Sequence, residues 1–260
     1  MGKLNALEIT HLDLHSDSYS NEVKWISRVI PEPSVCYDLG ANVGGFSLAM
    51  HKRWPNAKIY AYEPFTETYK KLQSNLLPHP IECFNIGFSD ETKTNVAVGL
   101  PTISDEKTHN FGRITTEFNS DVLGEINLFS FGEYLKAAQH KPDFMKVDIE
   151  GHEFKVFSSA VEFNVLKDIP FLYVEINNHY NTKKSAQATK QLLSEYYDII
   201  ENPYTIAKNE WLLANRTKKS EFGTPSIPSG LKPKGIRWDS INGWVYNTPI
   251  NILYKLKSFK

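Results

Sequence analysis

The sequence predicts an α/β fold built on a mainly parallel sheet joined by crossover helices, and three observations lead there. Apolar runs rich in β-branched and aromatic residues alternate with helical patterns along the chain. A glycine-bearing segment, Asp38-Leu39-Gly40-Ala41-Asn42-Val43-Gly44, separates the first strand from the helix that follows it. Acidic residues close several strands, at Glu63, Asp148 and Glu175, where open α/β sheets place their ligands.

The elements follow in order. Ser34–Leu39 (S-V-C-Y-D-L) reads as the first strand and Gly44–Arg53 as its helix, ended by Trp54-Pro55. Lys58–Tyr62 is the second strand. Thr66 is expected to cap a helix running to about Leu76, with Tyr69, Leu72 and Leu76 facing the sheet and Pro78 and Pro80 stopping it. Ile81–Ile86 supplies a third strand. Residues 87–130 show a short strand around Val96–Leu100, and the polar stretch from Thr102 to Asn119 reads as a mobile loop. Phe131–Ala138 is helical, Phe144–Ile149 is the fourth central strand, and His152–Val165 is its crossover helix. Pro170–Ile176 is a fifth strand and Lys183–Tyr196 a helix. Tyr197–Glu201 and Glu210–Asn215 read as a closing pair of strands, residues 223–235 are too rich in Pro and Gly for regular structure, and 236–260 receive no place.

A length of 260 residues with 41% hydrophobic content can bury a full core, so one domain with appendages is expected. The division is a helical extension over 1–33, the main domain over 34–215, and a basic extension over 216–260 packed on the same domain. Residues 203–260 carry 10 Lys and Arg against 3 Asp and Glu, a net +7, although the whole chain stands at −1. That overall balance argues against a surface built for nucleic acid. Cys36 and Cys83 both fall in strands expected to be buried, which suits a reducing compartment and leaves no metal or disulfide spacing. Met1 to Tyr19 lacks the apolar run of a signal peptide or membrane span, so a cytoplasmic protein is expected.

Three segments carry chemistry. In the glycine segment, Gly40 and Gly44 permit a tight turn and a close approach of backbone to a bound molecule. Asn42 stands where the dinucleotide-binding version has a second glycine to admit a pyrophosphate, so D-x-G-x-N-x-G suits a ligand without one. Taken alone, the segment also suits an ordinary strand-to-helix turn. Glu63, in Ala61-Tyr62-Glu63-Pro64, lies roughly 20 residues after the turn, where a carboxylate can hold two ribose hydroxyls. Lys146-Val147-Asp148-Ile149-Glu150-Gly151-His152-Glu153 ends the fourth strand. Strand alternation puts Lys146 and Asp148 on one face, with Glu150 following, and such crowding of ionisable groups perturbs proton affinities enough to supply a base. A metal site on Asp148, Glu150 and His152 lacks a further ligand cluster, so no metal is expected. His179 alone reads as a surface residue.

Together, V-C-Y-D-L-G-A-N-V-G-G-F-S-L (35–48), I-Y-A-Y-E-P-F (59–65), F-N-I-G-F-S-D (84–90), F-M-K-V-D-I-E-G-H-E (144–153) and F-L-Y-V-E-I (171–176) resemble the FkbM family of methyltransferases in order and spacing. The resemblance covers roughly residues 34–215. It implies a Rossmann-like class I methyltransferase fold, a seven-stranded, mostly parallel sheet with helices on both faces, with S-adenosylmethionine as methyl donor. It also implies acceptors that are hydroxyl groups of sugars, glycans or natural products. Asp38, Gly40, Asn42 and Gly44 would contact the methionine portion, Glu63 the ribose, and Asn85 with the Gly87–Ser89 turn the adenine. Asp148, Glu150, His152 and Glu175 would line the acceptor side, with Asp148 or His152 taking the hydroxyl proton.

Other readings stay open on the residues alone. O- or N-methylation of a non-sugar small molecule uses the same motifs. A nicotinamide-dependent oxidoreductase shares the strand-glycine-acid arrangement, with Asn42 against it. A non-catalytic domain could bind a partner through the tail, where Trp238, Trp244 and Tyr246 interleave with Lys and Arg; the joint presence of Asp38, Glu63, Asp148 and Glu150 counts against that. The tail itself reads as an acceptor lid, a contact to an anionic polymer or membrane surface, or an edge hairpin with solvated lysines.

Overall fold

The computed structural model describes residues 17–99, 113–114, 122–176, 183–200 and 250–258. Their elements run α1 (Asp17–Val29), β1 (Val35–Leu39), α2 (Gly45–Arg53), β2 (Lys58–Tyr62), α3 (Thr66–Leu76), β3 (Ile81–Phe84), β4 (Gly87–Ser89), β5 (Lys93–Gly99), β6 (Arg113–Ile114) and β7 (Val122–Ser130). After these come α4 (Phe131–Ala137), β8 (Phe144–Val147), α5 (Glu153–Glu162), a 3-10 turn (Leu166–Asp168), β9 (Phe171–Ile176), α6 (Lys183–Tyr196), β10 (Tyr197–Ile200) and β11 (Ile250–Leu256).

The main sheet has seven strands in the order β10-β11-β9-β8-β1-β2-β3. Pairing is parallel from β9 through β8, β1 and β2 to β3, and β11 runs antiparallel to both of its neighbours. The strands alternate sides because successive side chains of a strand point to opposite faces. Cys36 and Phe144 face a core closed by Val23 and Ile26 of α1, Phe46 and Met50 of α2, and Leu72 and Leu76 of α3. Tyr37, Met145 and Val147 face the other side, against Leu135 of α4, Val156 and Phe157 of α5 and Leu193 of α6. The α/β class and the helices on both faces therefore stand as the sequence predicts. The chain leaves β1 outward to β2 and β3 and returns to β8 on the other flank, so order reverses between β1 and β8. That reversal opens a crevice at their carboxyl ends.

Several expectations are corrected. Phe65, not Thr66, occupies the cap position of α3; Thr66 is already helical, and its hydroxyl donates to Asn85 Oδ1 at 3.1 Å. The third strand ends at Phe84 rather than Ile86, and Cys83 within it is only half-buried because β3 is the sheet edge. Residues 87–130, expected to hold one short strand, build a second sheet in the order β4-β7-β5-β6. The signal was present in β7, where Glu125, Asn127 and Phe129 point outward between buried Ile126, Leu128 and Ser130, the period-2 pattern of a half-buried strand. The tail contributes β11, inserted between β9 and β10, so Tyr197–Ile200 pairs with Leu253–Leu256. The expected strand at Glu210–Asn215, the loop at Thr102–Asn119 apart from Arg113 and Ile114, the aromatic residues Trp238, Trp244 and Tyr246, and His179 lie outside the described residues. No described helix is long and apolar enough to cross a membrane.

Candidate active site

The crevice is built from strand ends in register. Asp38, Lys146 and Tyr173 are cross-strand neighbours on β1, β8 and β9. Two residues further along the chain come Gly40 and Asp148, each just past the end of its strand, and Glu175 near the end of β9. The sequence placed Lys146 and Asp148 on one face, and the structure makes Lys146 the hub. Its Nζ donates to Gly40 O at 2.9 Å and lies 3.2 Å from Asp38 Oδ1, 3.3 Å from Asp148 Oδ2 and 5.8 Å from the centre of the Phe46 ring. Burial works against the ammonium, but the Asp38 and Asp148 carboxylates outweigh it and hold the group charged well above the ordinary lysine range.

Asp38 is fully buried. Its Oδ2 accepts from the Ser47 hydroxyl at 2.6 Å, while Oδ1 faces Lys146 as an ion pair without an aligned hydrogen bond. An isolated buried carboxylate would cost several kcal/mol, so the cation beside it is a requirement of the fold as much as of the chemistry.

The glycine turn is shaped by its protein neighbours. Gly40 has φ +76°, and a Cβ there would stand 1.9 Å from the Asp148 carbonyl oxygen; Gly44 has φ +97°, and a Cβ would press on Leu72 and Leu76 of α3. The sequence assigned these glycines a close approach to a ligand. The approach the structure displays is of backbone to the end of β8 and of α2 to α3. Asn42 adopts φ +51°, a left-handed conformation that Asn tolerates better than most side chains.

Glu63 closes the turn from β2. Asn42 N donates to its Oε2 and Phe65 N to its Oε1, both at 3.0 Å. Each oxygen keeps a second lone pair, which is the acceptor pattern a vicinal diol needs. Burial pushes the carboxyl up to about 7, with the two backbone amides and Lys146 pulling against it. Asn85 braces the same corner, its Nδ2 donating to Glu63 O at 3.0 Å and Pro64 O at 2.9 Å. With its side-chain oxygen taken by Thr66, Asn85 acts first on the loop.

Beyond β8, Glu150 and Gly151 both have positive φ, 57° and 99°, which turns the chain sharply into α5. The half-buried His152 Nε2 lies 2.9 Å from the Ser89 hydroxyl, which donates to Asp90 Oδ1 at 2.7 Å. The structure thus joins Ser89 and His152, which the sequence assigned to opposite sides of the site. Burial, and then the nearby Lys155 charge, hold the imidazole down at about 4, so it is neutral at pH 7. Glu153, unassigned from sequence, is buried, accepts from Gly151 N at 2.9 Å and is raised to about 7 by burial. Glu175 is raised by burial, then by the Asp148 carboxylate, with Lys146 opposing and Glu150 and Glu22 adding to the rise.

Sequence reasoning misses two contributors and the role of a third. Strand alternation makes Lys146 a face-mate of Asp148, and the structure makes it the tie between two strands. Ser47 sits on α2 at the right distance for Asp38 but in an unremarkable apolar context. Glu22 lies outside every motif, yet α1 brings its carboxylate 2.9 Å from the Tyr173 hydroxyl, which donates to it. Among the described residues, no group of three or more His, Cys, Asp and Glu side chains is placed to hold a metal ion.

The methyltransferase FkbM domain matches residues 38–200 of the chain. The hexuronic acid methyltransferase AglP of Haloferax volcanii is 28% identical over 167 residues, covering 63% of this chain and 63% of that protein. The methyltransferase sdnD of Sordaria araneosa is 26% identical over 162 residues, 51% of this chain and 62% of that protein. The AMB antimetabolite synthetase AmbE of Pseudomonas aeruginosa is 33% identical over 104 residues, 39% of this chain and 5% of that much longer protein. The chain spans less than two thirds of the length of each of these relatives. The matched span exceeds half of the 260 residues, and the chain belongs to the FkbM methyltransferase family.

Proposed function

We propose that this member of the FkbM methyltransferase family transfers a methyl group from S-adenosylmethionine to a hydroxyl of a sugar or glycan. The observation that carries the reading is the union, in one crevice, of a diol-ready carboxylate just past β2 with an ion-paired carboxylate just past β8. Glu63 meets the fit required for the donor's ribose, since both of its oxygens are fixed by backbone amides and each retains an acceptor position. S-adenosylmethionine supplies an electrophilic methyl on a sulfonium. The residues of the chain then have to align the acceptor oxygen and receive its proton, and alignment alone is worth several kcal/mol in such displacements.

Asp148 is the stronger candidate for the proton. Its carboxylate is about a quarter exposed at the crevice, against full burial of Asp38, and Lys146 fixes one of its oxygens. His152 is neutral and engaged with Ser89, which suits a hydrogen-bonding role at the site wall. Glu150 and Glu175 extend the polar rim on which hydroxyls of a polyol acceptor can dock. The sugar preference draws support from the 28% identical relative described as a hexuronic acid methyltransferase.

The test is calorimetric titration with S-adenosylhomocysteine, with NAD in parallel, followed by a methylation screen over neutral and uronic saccharides. Binding of S-adenosylhomocysteine that is lost in Glu63→Ala, with saccharide-dependent turnover, is the expected result. Binding of NAD instead, or of neither, removes the reading; turnover only on non-sugar hydroxyls or amines removes the sugar.

A further inference from the structure

The Asp38-Lys146-Asp148 cluster carries an inference about how the site is held together, and it rests on the donor and acceptor assignment just given. The side chain of Lys146 reaches both halves of the crevice. Toward the donor half it bonds the Gly40 carbonyl at 2.9 Å and faces Asp38 at 3.2 Å; toward the acceptor half it faces Asp148 at 3.3 Å. The two halves also meet through backbone, since Asp148 N donates to Leu39 O at 3.1 Å and the Asp148 carbonyl packs where a Gly40 side chain would be. Backbone contact fixes the distance between β1 and β8 but leaves the Asp148 carboxylate free to rotate. Lys146, with its stem packed in the interior and its charge fixed between two acids, removes that freedom.

We infer that Lys146 is a positioning residue that locks the Asp148 carboxylate against the donor-binding glycine turn, so that donor binding and the orientation of the acceptor-side carboxylate are energetically coupled. Its action runs through its contacts with Gly40, Asp38 and Asp148. Because it is tied to Gly40, any ordering of the turn is felt at Asp148, and by reciprocity a change at Asp148 is felt in donor affinity. A merely structural lysine would neutralise Asp38 and have no such coupling.

Replacing Lys146 alone leaves Asp38 buried without a counter-charge, so the charge-balanced pair Asp38→Asn/Lys146→Met is the working variant. Two measurements on the full chain decide the matter. The first is amide exchange of the segment 39–45 in the ligand-free protein: the variant should exchange at least about 10-fold faster there than the parent, with exchange in β2 and β9 unchanged. The second is a double-mutant cycle read by S-adenosylhomocysteine affinity. Asp148→Asn should weaken binding about 3-fold to 10-fold in the parent and less than about 2-fold in the variant background. Unchanged exchange in the turn, or effects of Asp148→Asn that are equal in the two backgrounds, overturns the inference. If the parent binds no S-adenosylhomocysteine, the proposed function falls, while the exchange measurement still decides whether Lys146 locks the turn.

Discussion

Glu63 and Glu175 end two strands of one sheet, β2 and β9, and each is raised above the usual carboxylate range by burial, yet they are held by opposite means. Glu63 is gripped by backbone, one amide on each oxygen. Glu175 sits among side-chain charges, with Asp148, Glu150 and Glu22 raising it and Lys146 alone opposing. Backbone amides are positioned by the fold itself, so the geometry of the proposed donor corner is set by the turn and the start of α3. Charges among side chains depend on each other's protonation, so the proposed acceptor flank is the half that responds to pH as a group.

The sharpest way to separate the two halves is Asp148→Asn. Turnover should fall by ~10²–10⁴-fold, as for loss of general-base help, while S-adenosylhomocysteine affinity falls by no more than about 10-fold. Equal losses in both would erase the division into halves. Rigidity of the donor corner is tested by Gly40→Ala, which forces a Cβ against the Asp148 carbonyl at positive φ. A destabilisation of about 3 kcal/mol or more in urea titration is expected; less than about 1 would mean the turn yields easily.

Protonation sharpens the contrast further. Glu153 is raised from 4.5 to about 7, so its contribution to stability is complete below the unfolded value and is lost as pH climbs through 7. His152, lowered from 6.5 to about 4, works the other way: its contribution is present above 6.5 and is lost as pH falls through 4. Glu153→Gln should therefore gain ~2 kcal/mol over the parent at pH 8 and little at pH 5, measured by denaturant titration at the two values. The smallest effect concerns Glu63. A carboxylate accepts diol hydroxyls in its ionised form, so S-adenosylhomocysteine should bind up to about 10-fold tighter at pH 8 than at pH 6. That dependence should vanish in Glu63→Gln; a parent with flat affinity would show that Glu63 is ionised throughout.

Where a local pattern suffices, sequence and structure agree. The helix Lys183–Tyr196 and the strand Lys58–Tyr62 fall on their expected residues because amphipathic and apolar periods report directly on local conformation. β11 was not legible, since I-N-I-L-Y-K-L gains its place only by fitting between β9 and β10, about 50 residues after the strand it joins. The second sheet escaped for a related reason: β4 has three residues, and its pairing with β7 crosses some forty positions of chain.

In the site the same line can be drawn. Sequence by itself determined the class of fold, the glycine turn, and the acids at the ends of β1, β2, β8 and β9, because spacing along a strand fixes which face and which end a side chain occupies. Tertiary structure decided what those groups do to one another. It set Lys146 between Asp38 and Asp148, gave the oxygens of Glu63 to backbone amides, turned the glycines toward protein neighbours, and brought Glu22 of α1 to the rim. Those outcomes depend on distances between strands that only the packed sheet defines, and electrostatic and hydrogen-bond energies change over tenths of a nanometre that no linear pattern records.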